Sequence, residues 1–141
     1  MALIKDVWGA AAQTTPAVKK EYQRGVHLGQ VPPHDLDDLT SVKLTKEEME
    51  DALGRFSHLG AGERTCLAVA LHRRGLLATD DRPARKIAAR LEIRITGTIG
   101  ILVLAVVENK CTLAEANALL ETMISLGYYA PTNRVDSFLP E

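Results

Sequence analysis

Aromatic side chains are scarce in this chain: one Trp, three Tyr and two Phe among 141 residues. Trp8, Tyr128 and Tyr129 fall at opposite ends, a spread that suits packing better than a base-stacking platform. Cysteine is scarcer still. Cys66 and Cys111 lie far apart inside helical patterns, with no CxxC pair and no His at ligand spacing. That argues against a disulfide-stapled scaffold and for a reduced, cytoplasmic setting in which both are structural thiols. His27, His34, His58 and His72 show no pairing at metal-ligand spacing and read as surface or loop residues. Long hydrophobic runs are missing as well. The longest, IGILVLAVV at 99–107, is far short of the ~20 residues that cross a bilayer and reads as a core helix, so no membrane is implied. The start, MALIKDVWGAAAQ, has no continuous apolar segment behind a basic one and does not fit a signal peptide. A net charge of −1 gives no global argument for nucleic acid. No internal repeat or low-complexity segment stands out.

What remains is an ordinary globular composition, 46% hydrophobic and 25% charged, in a chain long enough to bury a core without disulfides or structural metal. One domain over 1–141 is the expectation. Charge is unevenly placed. Residues 35–51 hold seven acids, Asp35, Asp37, Asp38, Glu47, Glu48, Glu50 and Asp51, against Lys43 and Lys46. Residues 55–94 reverse this: Arg55, Arg64, Arg73, Arg74, Arg82, Arg85, Lys86, Arg90 and Arg94 face only Glu63, Asp80, Asp81 and Glu92. Two readings fit that run, a surface that meets phosphates and a merely solvated helix face.

Helix signals punctuate the chain. In TTPAVKKEYQRG, Thr15 is a cap, Pro16 suits the first helical position and Gly25 a stop, which places Glu21 mid-helix. VHLGQVPPHDLDDLTSVKL has turn residues and no steady period, so it reads as an irregular connection exposed at Pro32, Pro33 and the aspartates. LTKEEMEDALGRFSHLG opens on a capping box, Thr45 with Glu48, and a Leu44–Met49 staple. GAGERTCLAVALHRRG restarts a helix with Leu67, Ala70 and Leu71 on one face, Glu63 in its first turn and Gly75 as its stop. LLAT then reads as a strand, DDRPARKIAARLE as a helix with Ile87, Ala88 and Leu91 inward, IRIT as a second strand and GTIGILVLAVVENK as an apolar helix. This alternation argues for βαβ units and a parallel sheet. TLAEANALLETMISLG has a second capping box, Thr112 with Glu115, and closes at Gly127; the tail adds a short helix from Thr132.

In a right-handed βαβ unit, strand ends and the starts of the following helices share one sheet edge, where open α/β folds bind ligands. Asp80 and Asp81 follow LLAT there, Glu63 starts on the same side, and Thr96 and Thr98 fall there too. Gathered carboxylates repel unless compensated, and a hard divalent cation, Mg²⁺ or Mn²⁺, is the usual compensation. The plainer alternative is that Asp81 caps the helix at Arg82 and Glu63 complements its own helix dipole.

The run from LGAGERTCLAVAL through LLATDDRPARKIAARLEIRITGTIGIL to LGYYAPTNRVDSFL resembles the PIN-domain proteins, in particular the branch described as predicted nucleic-acid-binding proteins or VapC-like toxins. The specific elements are Gly62-Glu63, the D-D-R-x-A-R of Asp80 to Arg85 and the G-T-x-G of Gly97 to Gly100, with TPAVKKEY resembling the segment that carries an earlier glutamate. The resemblance implies a three-layer α/β/α sandwich around a short parallel sheet, and RNA cleavage with Mg²⁺ or Mn²⁺ held by acids from four places. Three of these map to Glu21, Glu63 and Asp81 as catalytic ligands, with Asp80 a further metal-ligand candidate beside Asp81 and Thr79 set to orient the latter. Arg82 and Arg85 either position phosphates or pair with the neighbouring acids. The family's opening strand and its aspartate are not found: MALIKDVWG resembles the helix that follows them, Asp6 stands too close to Glu21 to replace that acid, and the next strand is eroded to AAAQTT. By this resemblance the chain is truncated N-terminally. A missing strand leaves backbone groups to be paired by another chain, so a homodimer or a small antitoxin is an expected partner beside RNA. Two functions follow: a metal-dependent ribonuclease of the toxin type, impaired by the lost ligand, or an inactive PIN-like binding or structural protein.

Overall fold

The computed structural model describes residues 2–30 and 39–140. The irregular connection expected around Pro32, Pro33 and Asp35, Asp37 and Asp38, together with His34, lies outside them. Among the described residues there are seven α-helices and four short strands: α1 (Ala2–Trp8), β1 (Gln13–Thr14), α2 (Pro16–His27), β2 (Thr40–Ser41), α3 (Lys46–Leu53), α4 (Ala61–Arg73), β3 (Leu76–Ala78), α5 (Arg82–Arg90), β4 (Arg94–Thr96), α6 (Thr98–Val107) and α7 (Leu113–Ser125). Single 3-10 turns occur at Gly9–Ala11 and Asp136–Phe138.

The helices start where side chains satisfy their first backbone N–H groups. Thr15 accepts from Val18 N ahead of Pro16, and both capping boxes are closed, Thr45 with Glu48 and Thr112 with Glu115. Their ends correct two readings. Gly25 stays helical and α2 runs on to His27, because Gly29 supplies the left-handed turn (φ 73°): its N–H reaches Val26 O and that of Gln30 reaches Gly25 O. Likewise α4 takes its left-handed turn at Arg74 (φ 53°) rather than at Gly75, whose N–H helps close the helix by bonding Ala70 O at 3.0 Å. Gly127 does close α7 (φ 107°), with Tyr128 N bonding Met123 O. The tail forms its turn at Asp136–Phe138 rather than from Thr132.

The class is α/β, with parallel strands as the alternation implies, but they form two pairs rather than one sheet. β1 pairs with β2 through Gln13–Thr40 and Thr14–Ser41, and β3 pairs with β4 through Leu76–Arg94, Leu77–Ile95 and Ala78–Thr96. Strands of two or three residues make few ladder bonds, so the helices carry the burial. One core joins Ala52, Leu67, Ala68, Leu77, Ala84 and Ala88 from α3, α4, β3 and α5 with Phe56 from the turn after α3. A second joins Leu102, Ala116, Leu120 and Val135, with Leu3, Ile99 and Tyr128 against it. Leu77 faces the first core while Leu76 and Ala78, pointing the other way, stay exposed. No helix among the described residues is long and apolar enough to cross a membrane.

Two polar clamps fix the ends of this scaffold. Arg73 on α4 grips the buried Glu48 of α3 through Nε and Nη2, at 2.8 and 2.9 Å. The amide of Asn117 on α7 accepts from Val135 N at 2.9 Å and donates to Asp136 Oδ1 at 3.0 Å, holding the C-terminal segment against the second core.

Candidate functional site

The site begins with two buried threonines. Thr15, which caps α2, shares a 2.8 Å hydrogen bond with Thr65 on α4, whose hydroxyl also donates to Ala61 O and Gly62 O. This pins the start of α2 to the start of α4, and further along α2 Glu21 arrives at the α4 N-terminus. Helix α4 has only Gly60 at its cap and no side-chain cap bond there. Gly62 N instead donates to Glu21 Oε1 at 2.9 Å, so a carboxylate from another helix satisfies one of the orphan N–H groups and sits in the favourable dipole field. Glycine at 62 leaves room for this arrangement: a Cβ there would stand 2.6 Å from Glu21 Oε2 and 3.3 Å from Val18 Cγ2, so the carboxylate would have to shift. Glu63 lies beside this pair. An added Cβ on Gly60 would meet Glu63 Oε2 at 2.8 Å and Glu21 Oε1 at 3.9 Å, so both carboxylates face the same small space.

A cleft of about 170 Å³ opens next to them, lined by Val18, Glu21, Gly62, Glu63, Cys66, Leu77, Thr79 and Ala84 among others. Cys66 therefore lines the site while also packing against the first core. Burial pushes its thiol up and the charges of Glu63 and Glu21 push it further, against an opposing contact from Thr15. The shift is opposite in direction to that of an activated, low-pKa thiol.

Across the cleft, the ends of β3 and β4 set the second group. Thr79 N bonds Thr96 O at 2.9 Å, and Thr79 Oγ1 accepts from Asp81 N at 3.1 Å, so Thr79 does orient the Asp81 backbone. The Asp81 carboxylate caps α5, accepting from Ala84 N at 2.9 Å. Asp80 turns the other way. Its two oxygens accept from Thr98 N at 3.1 Å and Thr98 Oγ1 at 2.5 Å, which caps α6 where Gly97 offers no side chain. A Cβ on Gly97 would collide with Asp80 Oδ1, which explains the glycine of the G-T pair.

The structure thus brings Glu21 and Glu63 together at the α4 start and separates Asp80 and Asp81 onto the starts of α6 and α5. Among the described residues no group of three or more His, Cys, Asp or Glu is arranged to hold a metal ion. The carboxylates do not simply repel, because Glu21, Asp81 and Asp80 each accept from the first turn of a different helix, and those N-termini carry partial positive charge. Asp6 is exposed on α1 and is not part of the cleft lining. Arg85 is half-buried and pairs with no acid among the described residues: its Nη1 donates to Thr79 O at 2.8 Å and braces the end of β3. Arg82 is exposed and makes no hydrogen bond or ion pair with the described residues.

Tyr128, read from sequence as packing, does pack against the second core and also borders this edge. Burial raises its phenol, the Asp80 charge raises it further, and a hydrogen bond with Thr98 and the charge of Arg85 oppose them. It lies in the chain just after the Gly127 turn, and its position beside Thr98 depends on how α7 packs on α6, which no local pattern encodes. Gly62 and Thr98, by contrast, stand inside the G-E and G-T-x-G elements quoted above.

Comparison with known proteins gives one family match. No curated protein and no solved structure matches significantly. A family model described as a PIN domain matches residues 3–141. It spans α1, both strand pairs and every residue of the edge just described. The chain therefore belongs to the PIN-domain family.

Proposed function

We propose that this chain is a metal-dependent ribonuclease of the toxin type, built as one PIN domain over residues 1–141, with Glu21, Glu63 and Asp81 as its catalytic acids and Asp80 as an accessory one. The family supports nuclease chemistry in general, and PIN domains generally use divalent metals. The observation that carries the reading is the pairing of Glu21 with Glu63 in a cleft that also contains Thr79 at the end of β3. One Glu21 oxygen is engaged by Gly62 N, while no hydrogen bond or ion pair with the described residues engages Glu63.

The donor set fits a small hard cation. Mg²⁺ is commonly held by one or two carboxylates together with substrate phosphates and water, rather than by a full protein cage. Glu21 and Glu63 are such a pair, with Asp81 and Asp80 within the same edge. Bound there, the cation supplies positive charge against an attacked phosphodiester and acidifies water. The chain's own residues do the rest. Gly62 N fixes the Glu21 carboxylate, Thr79 fixes the turn that carries Asp81, and Arg85 holds the strand end on which that turn is built.

A second reading is favoured by a specific fact. Both aspartates are committed to helix caps, and three acids are not gathered at one point among the described residues. On that reading the scaffold serves binding, to an antitoxin or to a second copy of itself. The two are separated by titrating Mn²⁺ into the protein by calorimetry and assaying cleavage of labelled RNA by the parent, Glu63→Gln and Asp81→Asn. The nuclease reading expects saturable Mn²⁺ binding and cleavage lost in both variants. Parent activity that survives both substitutions, or no Mn²⁺ binding with or without oligonucleotide, overturns it.

A further inference from the structure

Helix α5 is charged in a way that works against its own stability. Its sequence RPARKIAAR carries four cations and no acid. Arg85 is used internally, on Thr79 O, but Arg82, Lys86 and Arg90 are all exposed and none makes a hydrogen bond or ion pair with the described residues. They stand four residues apart, so they form one stripe on one face. Like charges at that spacing repel. Arg82 also occupies the first position of the helix, where the dipole disfavours a cation, and it makes no ion pair with Asp80 or Asp81 close by in the chain. The opposite face, by contrast, is well built: Ala84 and Ala88 are buried, with Ile87 packed against the same core.

A helix arranged this way gains from an external polyanion. Successive cations of the stripe are about 6 Å apart along the helix axis, a spacing that lets consecutive phosphates of an extended strand meet consecutive side chains. The stripe also has a direction. Arg82 begins at the acid edge, one residue from Asp81, and Arg90 closes α5 ahead of β4.

We infer that the Arg82–Lys86–Arg90 stripe of α5 is a phosphate track, along which a single nucleic-acid strand runs away from the acid edge. This rests on the nuclease reading for the partner's class, but it is a statement about binding and needs no cleavage. Three phosphate contacts each release counterions, so they set part of the salt dependence of affinity.

The test is the binding of a fluorescein-labelled oligoribonucleotide by anisotropy, between 25 and about 200 mM KCl with no divalent cation, so that cleavage does not intervene. The parent is compared with Arg82→Gln/Lys86→Gln/Arg90→Gln and with a control that removes equal charge elsewhere, Lys43→Gln/Lys46→Gln/Lys110→Gln, all three exposed. The slope of log K against log[salt] is expected to fall by about 2 in the track variant, and to change by less than about 0.5 in the control. Circular dichroism is expected to show the track variant folded, with a melting temperature no lower than the parent's, since repulsion has been relieved. Equal slopes in parent and track variant, with the parent binding, overturn the track and leave the nuclease reading intact. No binding by the parent at any salt likewise overturns the track, while the nuclease reading stands or falls on Mn²⁺ binding and cleavage. Preference for polyglutamate over the oligonucleotide, lost in the track variant, assigns the stripe to an acidic protein and overturns the proposal.

Discussion

Glu21 on α2 and Gly62 on α4, 41 residues apart in the chain, are joined by a 2.9 Å hydrogen bond from the glycine N–H to the glutamate Oε1. With no side chain at position 62, the carboxylate can lie directly against the start of α4. A methyl group there would stand 2.6 Å from Glu21 Oε2 and 3.2 Å from its Cδ, so Gly62→Ala should push the carboxylate away from the α4 start. The substitution also raises intrinsic helix propensity by about 1 kcal/mol, which offsets much of the lost contact. Gly62→Ala should therefore leave the unfolding free energy within about 1 kcal/mol of the parent while cutting Mn²⁺ affinity and RNA cleavage at least tenfold. Urea unfolding and calorimetric titration check the two halves separately. Undiminished affinity would remove Glu21 from the site.

Asp80 and Thr98 make the shortest polar contact of this edge, 2.5 Å between Oδ2 and Oγ1. Asp80→Ala leaves Thr98 N–H and its hydroxyl without their acceptor and removes the α6 cap, at a cost of about 1–2 kcal/mol. It also removes the Asp80 charge, which together with burial raises the Tyr128 phenol. The Tyr128 pKa should move down toward the ordinary tyrosine value, read by ultraviolet titration at alkaline pH against a Tyr128→Phe reference. An unchanged titration would mean that burial alone holds the phenol.

Much of this was legible in the sequence, and the misses have a common cause. Thr45–Glu48, Thr112–Glu115, Thr15 with Pro16, and Gly127 are local signals, because a cap is decided within a few residues. The βαβ alternation located β3 and β4 and so put Asp80, Asp81, Thr96 and Thr98 on one edge. The irregular segment hid β2, whose two residues Thr40 and Ser41 pair only because β1 lies beside them. Gly25 was a reasonable stop, but Gly29 competed with it and gave the better-bonded turn. Spacing could place Glu21 on a helix and Glu63 in a first turn; it could not show that Thr15 and Thr65 would bring those helices together. Nor could it assign Asp80 to α6 and Asp81 to α5, since adjacent residues can turn to different helices.

The C-terminal segment depends on one amide. Asn117 is buried and holds both Val135 N and Asp136 Oδ1, with Val135 fully buried. Asn117→Ala leaves the Val135 N–H without an acceptor inside the second core, which costs about 1–3 kcal/mol. Limited proteolysis should then cut within residues 128–140 faster than in the parent, while the α3–α4 half resists as before. Uniform resistance would show that apolar packing alone secures the tail.

The Arg73–Glu48 clamp makes stability depend on acid in a defined window. Glu48 is 1% exposed, and its carboxyl is lowered from 4.5 to about 2, chiefly by the hydrogen bonds from Arg73, helped by Thr45 and opposed by burial. A carboxyl with a depressed folded-state pKa binds its proton more readily in the unfolded chain. Its contribution is therefore complete above the unfolded value of 4.5 and is lost as pH falls toward about 2. The size is about 3 kcal/mol at neutral pH. The two partners should not be equivalent. Arg73 is 39% exposed, so in Glu48→Gln it can turn to water, whereas Arg73→Met leaves a buried carboxylate with little beyond the Thr45 bonds. Arg73→Met should cost about 3–5 kcal/mol at pH 7 and Glu48→Gln less. Urea unfolding at several pH values should show the gap between parent and Glu48→Gln closing below pH 4.5 as the parent's carboxylate takes up its proton. A gap independent of pH would mean that the clamp acts through packing rather than charge.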